Sequence, residues 1–299
     1  MKASHSEIAT YLDCRVKHHL RYRLRLPVVE QVDRLVQGTA VHAGLEAAAL
    51  ARCDGSAADA QAIAVETYRK ERVCPDDQDL SAIGAATRAG LDFLAQADIK
   101  TILATEERFQ LNIDGWEVPG AVDLAFEDSY GQHHILDWKT ANSLPEDTTG
   151  TLDPQTAIYA YHWMTSRGLT TMYAGRCYLR LTAPTVQLTQ ATKNVPSRVS
   201  LKSKLSRADY EAYAAAHPEH TGKPDDHAEA LAKFGSWWRH HEDLVTLDYC
   251  RAVLLEWRAV AEEIELGLRP LPNLRPKMCI RCEYLSQCMD RSLNPQNYG

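Results

Sequence analysis

Three residues in two short apolar stretches have the types and spacing to do chemistry. Val118 to Phe126 reads VPGAVDLAF and carries Asp123, and Ile135 to Ala141 reads ILDWKTA and carries Asp137 and Lys139. Both stretches have strand character. Residues two apart in a strand share a face, so Asp137 and Lys139 point one way and Trp138 the other. A buried charge without a partner is very costly, so charges on such strands suggest a site more than a core. Two carboxylates offer hard oxygen ligands to a divalent cation. A lysine beside them can help make a nucleophile of water and offset charge in a transition state. Together these are the requirements of metal-assisted phosphodiester cleavage. The plainer alternative is an Asp137–Lys139 ion pair on an exposed edge strand.

Other residue sets bear on that choice. Gln155 and Tyr159 stand at i and i+4 in a helical stretch, with His162 a further turn along. By themselves they fit an amphipathic helix equally well. His42 lies in the run Gly38-Thr39-Ala40-Val41-His42; a lone histidine is more often structural, but as a nitrogen ligand it would favour Mn²⁺ alongside Mg²⁺. The chain has 8 cysteines, too many to ignore and unsuited to a disulfide framework in a cytosolic setting. Cys53, Cys74, Cys177 and Cys250 are scattered, whereas Cys279, Cys282 and Cys288 cluster as C-x₂-C-x₅-C. With Cys14 they make four thiolates, a set that suits a metal; tetrahedral Zn²⁺ is one physical candidate.

The elements that must position these residues are legible in outline. Ser4-His5-Ser6-Glu7 has the form of a capping box and opens a short helix with Ile8, Tyr11 and Leu12 inward and Cys14 near its end. A second helix runs from Gln37 to about Arg52, and Ala57 to Arg72 and Leu80 to Ala97 read as two more. Ile99 to Leu111 reads as a strand. Asp114-Gly115 is a strong two-residue hairpin signal, and Trp116 to Glu127 is the return strand. His133 to Thr140 is the third strand. Asp153-Pro154 then starts a helix that ends at Gly168, and Thr171 to Leu181 is a fourth strand. A helix linking strands three and four makes that pair parallel. The core is therefore α-β-β-β-α-β. Ala183 to Leu205 reads as a long loop, Arg207 to Ala216 and Asp226 to His241 as helices, and Leu244 to Leu266 as a long helix. Arg269 to Lys277 is an extended Pro-rich linker into the cysteines.

Composition sets the outer bounds. At 299 residues the chain can bury a sizeable core. It has no apolar run of 18 residues, so no membrane span is expected, and its first residues lack the apolar core of a signal peptide; a cytoplasmic protein follows. A net charge of −7 argues against a general nucleic-acid binder, but its distribution is uneven. Arg15 to Arg25 and Lys193 to Arg207 each hold five basic residues and no acid. Two such stretches flanking a carboxylate site fit a phosphate backbone.

The order Gly-x-x-x-His, Gly-x-x-Asp, Asp-x-Lys, Gln-x-x-x-Tyr resembles the RecB-like branch of the PD-(D/E)XK nuclease superfamily, over about residues 1 to 182. That resemblance implies a restriction-endonuclease-like α/β fold: a small mixed sheet flanked by helices, with helical additions and a C-terminal cysteine clip. It implies that His42, Asp123 and Asp137 bind Mg²⁺ or Mn²⁺, helped by the Trp138 carbonyl. Lys139 would orient or activate water, Gln155 and Tyr159 would position DNA, and Glu106 would help hold the metal or Lys139. The cysteine arrangement is similar to that of iron–sulfur nucleases of the AddB and CRISPR-adaptation types, which implies a 4Fe–4S cluster on Cys14, Cys279, Cys282 and Cys288, with Zn²⁺ the alternative. Here Cys14 is followed by Arg15 rather than the frequent proline.

The expected organisation is one nuclease domain over 1–299. Residues 1–30 and 269–290 form the iron–sulfur region, 32–182 the core, and 183–268 a basic loop and helical extension. The expected activity is a metal-dependent DNA exonuclease for single-stranded or resected ends, in recombination, repair or CRISPR-type processing. Its expected partners are DNA, single-stranded or as an end-bearing duplex, and a homo-oligomer or a recombination protein, with no membrane. A non-catalytic DNA-binding subunit is the rival, and a junction resolvase ranks last.

Overall fold

The structure, a computed structural model, describes residues 1–27, 33–72, 75–145, 153–183, 186–187, 204–216, 235, 237–268, 279 and 282–289. Its centre is a five-stranded mixed sheet in the order β1-β2-β3-β4-β7. The strands are β1 Thr101–Ile113, β2 Trp116–Glu127, β3 His133–Ala141, β4 Thr171–Arg180 and β7 Trp238–Thr246, with β5 Val186–Gln187 and β6 Lys204–Leu205 forming a separate short pair. β1, β2 and β3 are an antiparallel meander, β3 and β4 run parallel, and β7 closes the edge antiparallel to β4.

The meander begins at the Asp114-Gly115 turn, where both residues take positive φ (48° and 85°), as a tight hairpin matched to strand twist requires. The helix α6, Pro154–Arg167, supplies the crossover to β4. The Asp153 side chain caps its first turn by accepting from the Gln155 N–H, proline occupies the first turn, and Gly168 ends it in the left-handed conformation.

Each face of the sheet is covered by helices, which bury an apolar cluster on either side. On one face pack α6, α1 (His5–Asp13) and α8 (Leu247–Glu265), around Trp116, Val118, Ile135, Ile158, Trp163 and Leu254. On the other pack α3 (Asp33–Asp54), α4 (Ala60–Glu71) and α5 (Asp77–Gln96), around Val41, Leu45, Phe93, Leu136, Trp138 and Leu179. The mixed α/β architecture matches the expected restriction-endonuclease-like fold, and β7 adds a fifth strand to the anticipated core.

Three expectations need correction or replacement. The helix expected over Asp226 to His241 gives way, from Trp238 on, to the start of β7. Its side chains alternate, with Trp238 packing against Phe93 at 5.3 Å and Val245 buried on the other face. The open edge of β4 recruits this stretch into a strand, and tertiary context overrides local propensity. The long helix starts at Leu247 rather than Leu244 because Thr246 caps it and the preceding residues belong to β7. The third concerns the basic stretch. Arg15–Arg25 is not an open phosphate-facing strip: Arg15 pairs with Glu263 at 3.1 Å, Lys17 with Glu283 at 3.0 Å and Arg21 with Glu283 at 3.9 Å, while Arg23 donates to the Ile264 carbonyl at 2.6 Å. These residues dock the N-terminal region onto α8 and onto the cysteine segment. The Pro-rich linker, Cys74 and most of the two stretches Ala183–Leu205 and Lys193–Arg207 lie outside the described residues.

Candidate active site

The hairpin register decides which residue of β1 faces Asp123. Counting back from the Ile113↔Trp116 pair, the ladder passes from Glu107↔Val122 to Thr105↔Leu124, leaving Glu106 opposite Asp123. Glu106 is one of few non-glycine residues with positive φ, 48°. That conformation costs on the order of 1–3 kcal/mol and is held only where the surroundings enforce it. From α3, His42 reaches the same point: its Nδ1 lies 3.6 Å from Glu106 Oε1 and 3.6 Å from Asp123 Oδ2. Ligand atoms of His42, Glu106 and Asp123 all fall within 4.8 Å of one another, a group that could hold a metal ion.

The tautomer of His42 follows from its other nitrogen. Nε2 lies 2.9 Å from the Trp138 carbonyl, which can only accept, so Nε2 carries the hydrogen and Nδ1 faces the carboxylates. Metal-binding histidines are commonly oriented in this way. The Trp138 carbonyl, expected as a ligand, here orients His42. The Trp138 N–H donates to Asp123 Oδ2 at 2.8 Å, so the backbone of one residue of β3 steers two of the three gathered side chains.

Asp137 and Lys139 stand on the opposite face of β3 from Trp138. Asp137 is 2% exposed and its Oδ2 lies 2.6 Å from Lys139 Nζ. Lys139 also donates to Gln155 Oε1 at 3.0 Å, and Gln155 Nε2 donates to the Tyr159 hydroxyl at 2.6 Å. The cap at Asp153 sets the first turn of α6, and Gln155 and Tyr159 follow on one face. Gly120 sits under the Phe109 ring, where a Cβ would come within 2.3 Å of it. Phe109 in turn meets Tyr159 edge-on at 5.7 Å, so a side chain at position 120 would disturb the Tyr159 wall.

The electrostatics mark the site as unsatisfied. Burial, then the charge of Asp137, push Asp123 up to about 7, against the pull of His42 and the Trp138 N–H. Burial opposes a charged His42, but the Glu106 hydrogen bond and the charges of Asp123 and Asp137 outweigh it and raise its pKa. Burial also raises the Tyr159 pKa. A bound divalent cation would relieve this crowd of acids, so the donor set fits a hard metal.

Two contributors escaped the sequence reading. Arg176 on β4 pairs in register with Asp137 on β3; its Nε lies 3.5 Å from Asp137 Oδ2, and a terminal nitrogen contacts Asp153. The expected parallel β3–β4 pairing held the clue, but only the register aligns these two residues. His5 stacks on Trp257 at 4.7 Å with Nε2 3.9 Å from Asp153; nothing local in the sequence points to it.

A family model for the PD-(D/E)XK nuclease superfamily matches residues 2–289. The chain belongs to that superfamily. Its members are nucleases, hydrolytic enzymes that use divalent metals such as Mg²⁺ or Mn²⁺, in keeping with the acidic group above. Among solved structures, one titled "Crystal structure of SSO0001" is similar at 17% identity over 92% of this chain and 94% of that chain, with a TM-score of 0.30. No curated protein matches the chain. Among the described residues, no helix of this superfamily member is long and apolar enough to cross a membrane.

The cysteines form the second candidate centre. Cys14 lies between α1 and the short helix α2, Arg15–His18, and Cys288 lies in α9, Leu285–Met289. The Cys282 N–H donates to the Cys279 carbonyl at 3.0 Å and the Cys288 N–H to the Tyr284 carbonyl at 2.8 Å. Buried Tyr284 donates to the Leu26 carbonyl at 3.2 Å, and Glu283 takes Lys17 and Arg21, so this segment closes onto the N-terminal region. Burial raises the Cys288 thiol pKa, and the nearby Cys14, Cys282 and Cys279 raise it further. Four thiols that repel one another's ionised forms are a set that a metal centre would discharge.

Proposed function

We propose that the chain is a divalent-metal-dependent deoxyribonuclease of the RecB-like branch. In this reading it is an exonuclease, hydrolysing phosphodiester bonds at single-stranded or resected ends in recombination, repair or CRISPR-type DNA processing. The observation that carries the reading is the meeting of His42, Glu106 and Asp123 within 4.8 Å, beside the Asp137–Lys139 pair. His42, Glu106 and Asp123 hold the cation, and Asp137 adds its carboxylate from β3. When bound, Mg²⁺ or Mn²⁺ supplies Lewis acidity and makes a better nucleophile of water. Lys139, held in place by Gln155, orients the attacking water and meets charge developing on the phosphate. Gln155 and Tyr159 line the path of the DNA strand.

The whole chain acts as one nuclease domain in this reading, with its ends joined by a 4Fe–4S cluster on Cys14, Cys279, Cys282 and Cys288. The cluster's role is a staple: closing so long a loop stabilises by several kcal/mol, on the order of 5–6. Anaerobically purified protein should be brown and contain iron and sulfide, and Cys279→Ala should lose soluble folded protein. A colourless protein with one zinc per chain would replace the cluster by zinc.

The activity is tested with end-labelled single- and double-stranded DNA in Mg²⁺ or Mn²⁺, with and without EDTA. Release of short products from ends, abolished by EDTA, is expected. Tight binding without cleavage would overturn the nuclease reading in favour of a non-catalytic subunit.

A further inference from the structure

We propose that Arg176 is a phosphate-binding residue of this site, held by Asp137 and Asp153 until DNA arrives. The proposal rests on the nuclease reading above and adds a substrate contact to it. Arg176 stands directly across the β3–β4 ladder from Asp137. Its guanidinium therefore shares the face of the sheet that presents Asp137 and Lys139. The side chain is 20% exposed, enough for a strand passing over the site to reach it.

Its present partners hold it loosely on one side. The Asp137 contact is long, at 3.5 Å, and Arg176 Nε is buried without a hydrogen-bond partner. Asp137 already has Lys139 at 2.6 Å, so a second cation there is surplus to that carboxylate. When Asp137 turns its charge to a divalent cation, Lys139 and Arg176 are left positive and side by side. A phosphate is the group that satisfies both. The guanidinium is suited to it, since a planar fork of five donors matches phosphate oxygens two at a time. The contact to Asp153 uses one terminal nitrogen and fixes the direction of the fork. Because Asp153 also caps α6, a purely structural role for Arg176 is the competing account, and the test must separate the two.

The experiment measures binding rather than cleavage, with Ca²⁺ in place of Mg²⁺ or Mn²⁺ so that a hard cation faces Asp137. Fluorescence anisotropy follows a short single-stranded oligonucleotide and a series in which one phosphate at a time is replaced by a neutral methylphosphonate. For the wild-type protein, one linkage near the bound end should cost about tenfold in affinity. Arg176→Met should bind the all-phosphate strand about tenfold more weakly and lose the penalty at that linkage. Arg176→Lys, which keeps the charge but not the fork, should retain part of it and serves if the methionine variant does not fold. An unchanged penalty pattern in both variants would overturn the proposal and leave Arg176 as a staple of α6. Wild-type protein that cleaves no DNA in Mg²⁺ or Mn²⁺ would sink the nuclease reading, while the binding series in Ca²⁺ would still decide Arg176.

Discussion

Strand β3 passes through two histidine–carboxylate clusters, and they are built in opposite ways. Near its start, His134 is 7% exposed and gives one ring nitrogen to Glu242 at 3.0 Å and the other to Asp128 at 3.2 Å. Carboxylates only accept, so both nitrogens donate and the ring is an imidazolium. It lies between the rings of Phe126 and Tyr173, 4.6 and 4.8 Å away and nearly parallel to both. Burial opposes that charge, but the Glu242 and Asp128 bonds outweigh it and raise the His134 pKa. Burial likewise opposes an ionised Glu242, but the bonds from His134 and His240 hold it down to about 2. Further along β3, His42 meets two carboxylates at 3.6 Å each, and Asp123 is pushed up to about 7. The residue types are the same. The first cluster has each ring nitrogen matched by a hydrogen-bonded carboxylate and ties β2, β3, β4 and β7 together. The second leaves its carboxylates beyond hydrogen-bond distance of the ring and Asp123 raised, which is the condition of a site that awaits a ligand.

The largest test of that contrast exchanges function for stability. Asp123→Asn and Lys139→Met should each lower metal-dependent cleavage by about 10³-fold or more. The thermal midpoint of Asp123→Asn should hold steady or rise, because a repelled buried carboxylate is gone. His134→Phe should do the reverse, melting earlier while cleaving at the wild-type rate wherever it remains folded. A large loss of stability in Asp123→Asn would break the contrast.

Metal should stabilise one cluster only. A ligand at one hundred times its Kd adds about 2.7 kcal/mol, roughly 4 °C for a chain of this size. Calorimetry in Mn²⁺ against EDTA should show that rise in wild type and in His134→Phe. It should be absent in Asp123→Asn, and its persistence there would move the metal elsewhere.

The matched cluster should show itself in pH. A raised histidine pKa contributes stability that is fully present below about pH 6.5, the unfolded value, and is lost as pH rises through the higher folded pKa. His42 is also raised, so the informative quantity is the difference between wild type and His134→Phe. Urea midpoints from pH 5.5 to 9 should converge as pH rises. Parallel curves would mean that His134 is neutral in the fold.

Much of the active site was legible because it rests on local pattern. Asp123, Asp137 and Lys139 sit on apolar strands, Asp153-Pro154 announces α6, and Asp114-Gly115 announces the hairpin. That hairpin in principle also puts Glu106 opposite Asp123, since its register needs only counting. Arg176 was not legible, because the offset between parallel strands is set by packing of the crossover helix rather than by a turn. The same limit hid the matched cluster. His134, Asp128 and Glu242 come from three separate segments, and Glu242 belongs to a strand whose local sequence reads as helix. The basic run at Arg15–Arg25 misled for a related reason: sequence shows charge but not the acids of α8 and Glu283 that meet it.

The finest test concerns a single atom of the matched cluster. Asp128 Oδ1 accepts from the Tyr130 and Gln132 N–H groups at 2.9 and 2.8 Å, shaping the turn before β3, while Oδ2 faces His134 Nε2. Asp128→Asn can keep the turn, since its amide oxygen replaces Oδ1. Its NH₂ then faces Nε2 and donates, so the imidazole is favoured as the neutral tautomer with Nδ1–H on Glu242. The His134 pKa, followed by the NMR shift of its ring proton, should fall by about a unit. The pH at which wild type loses its added stability should move down by a similar amount, with little change in cleavage. An unmoved His134 pKa would mean that Asp128 contributes only to the turn, and that one carboxylate rather than two holds the imidazolium.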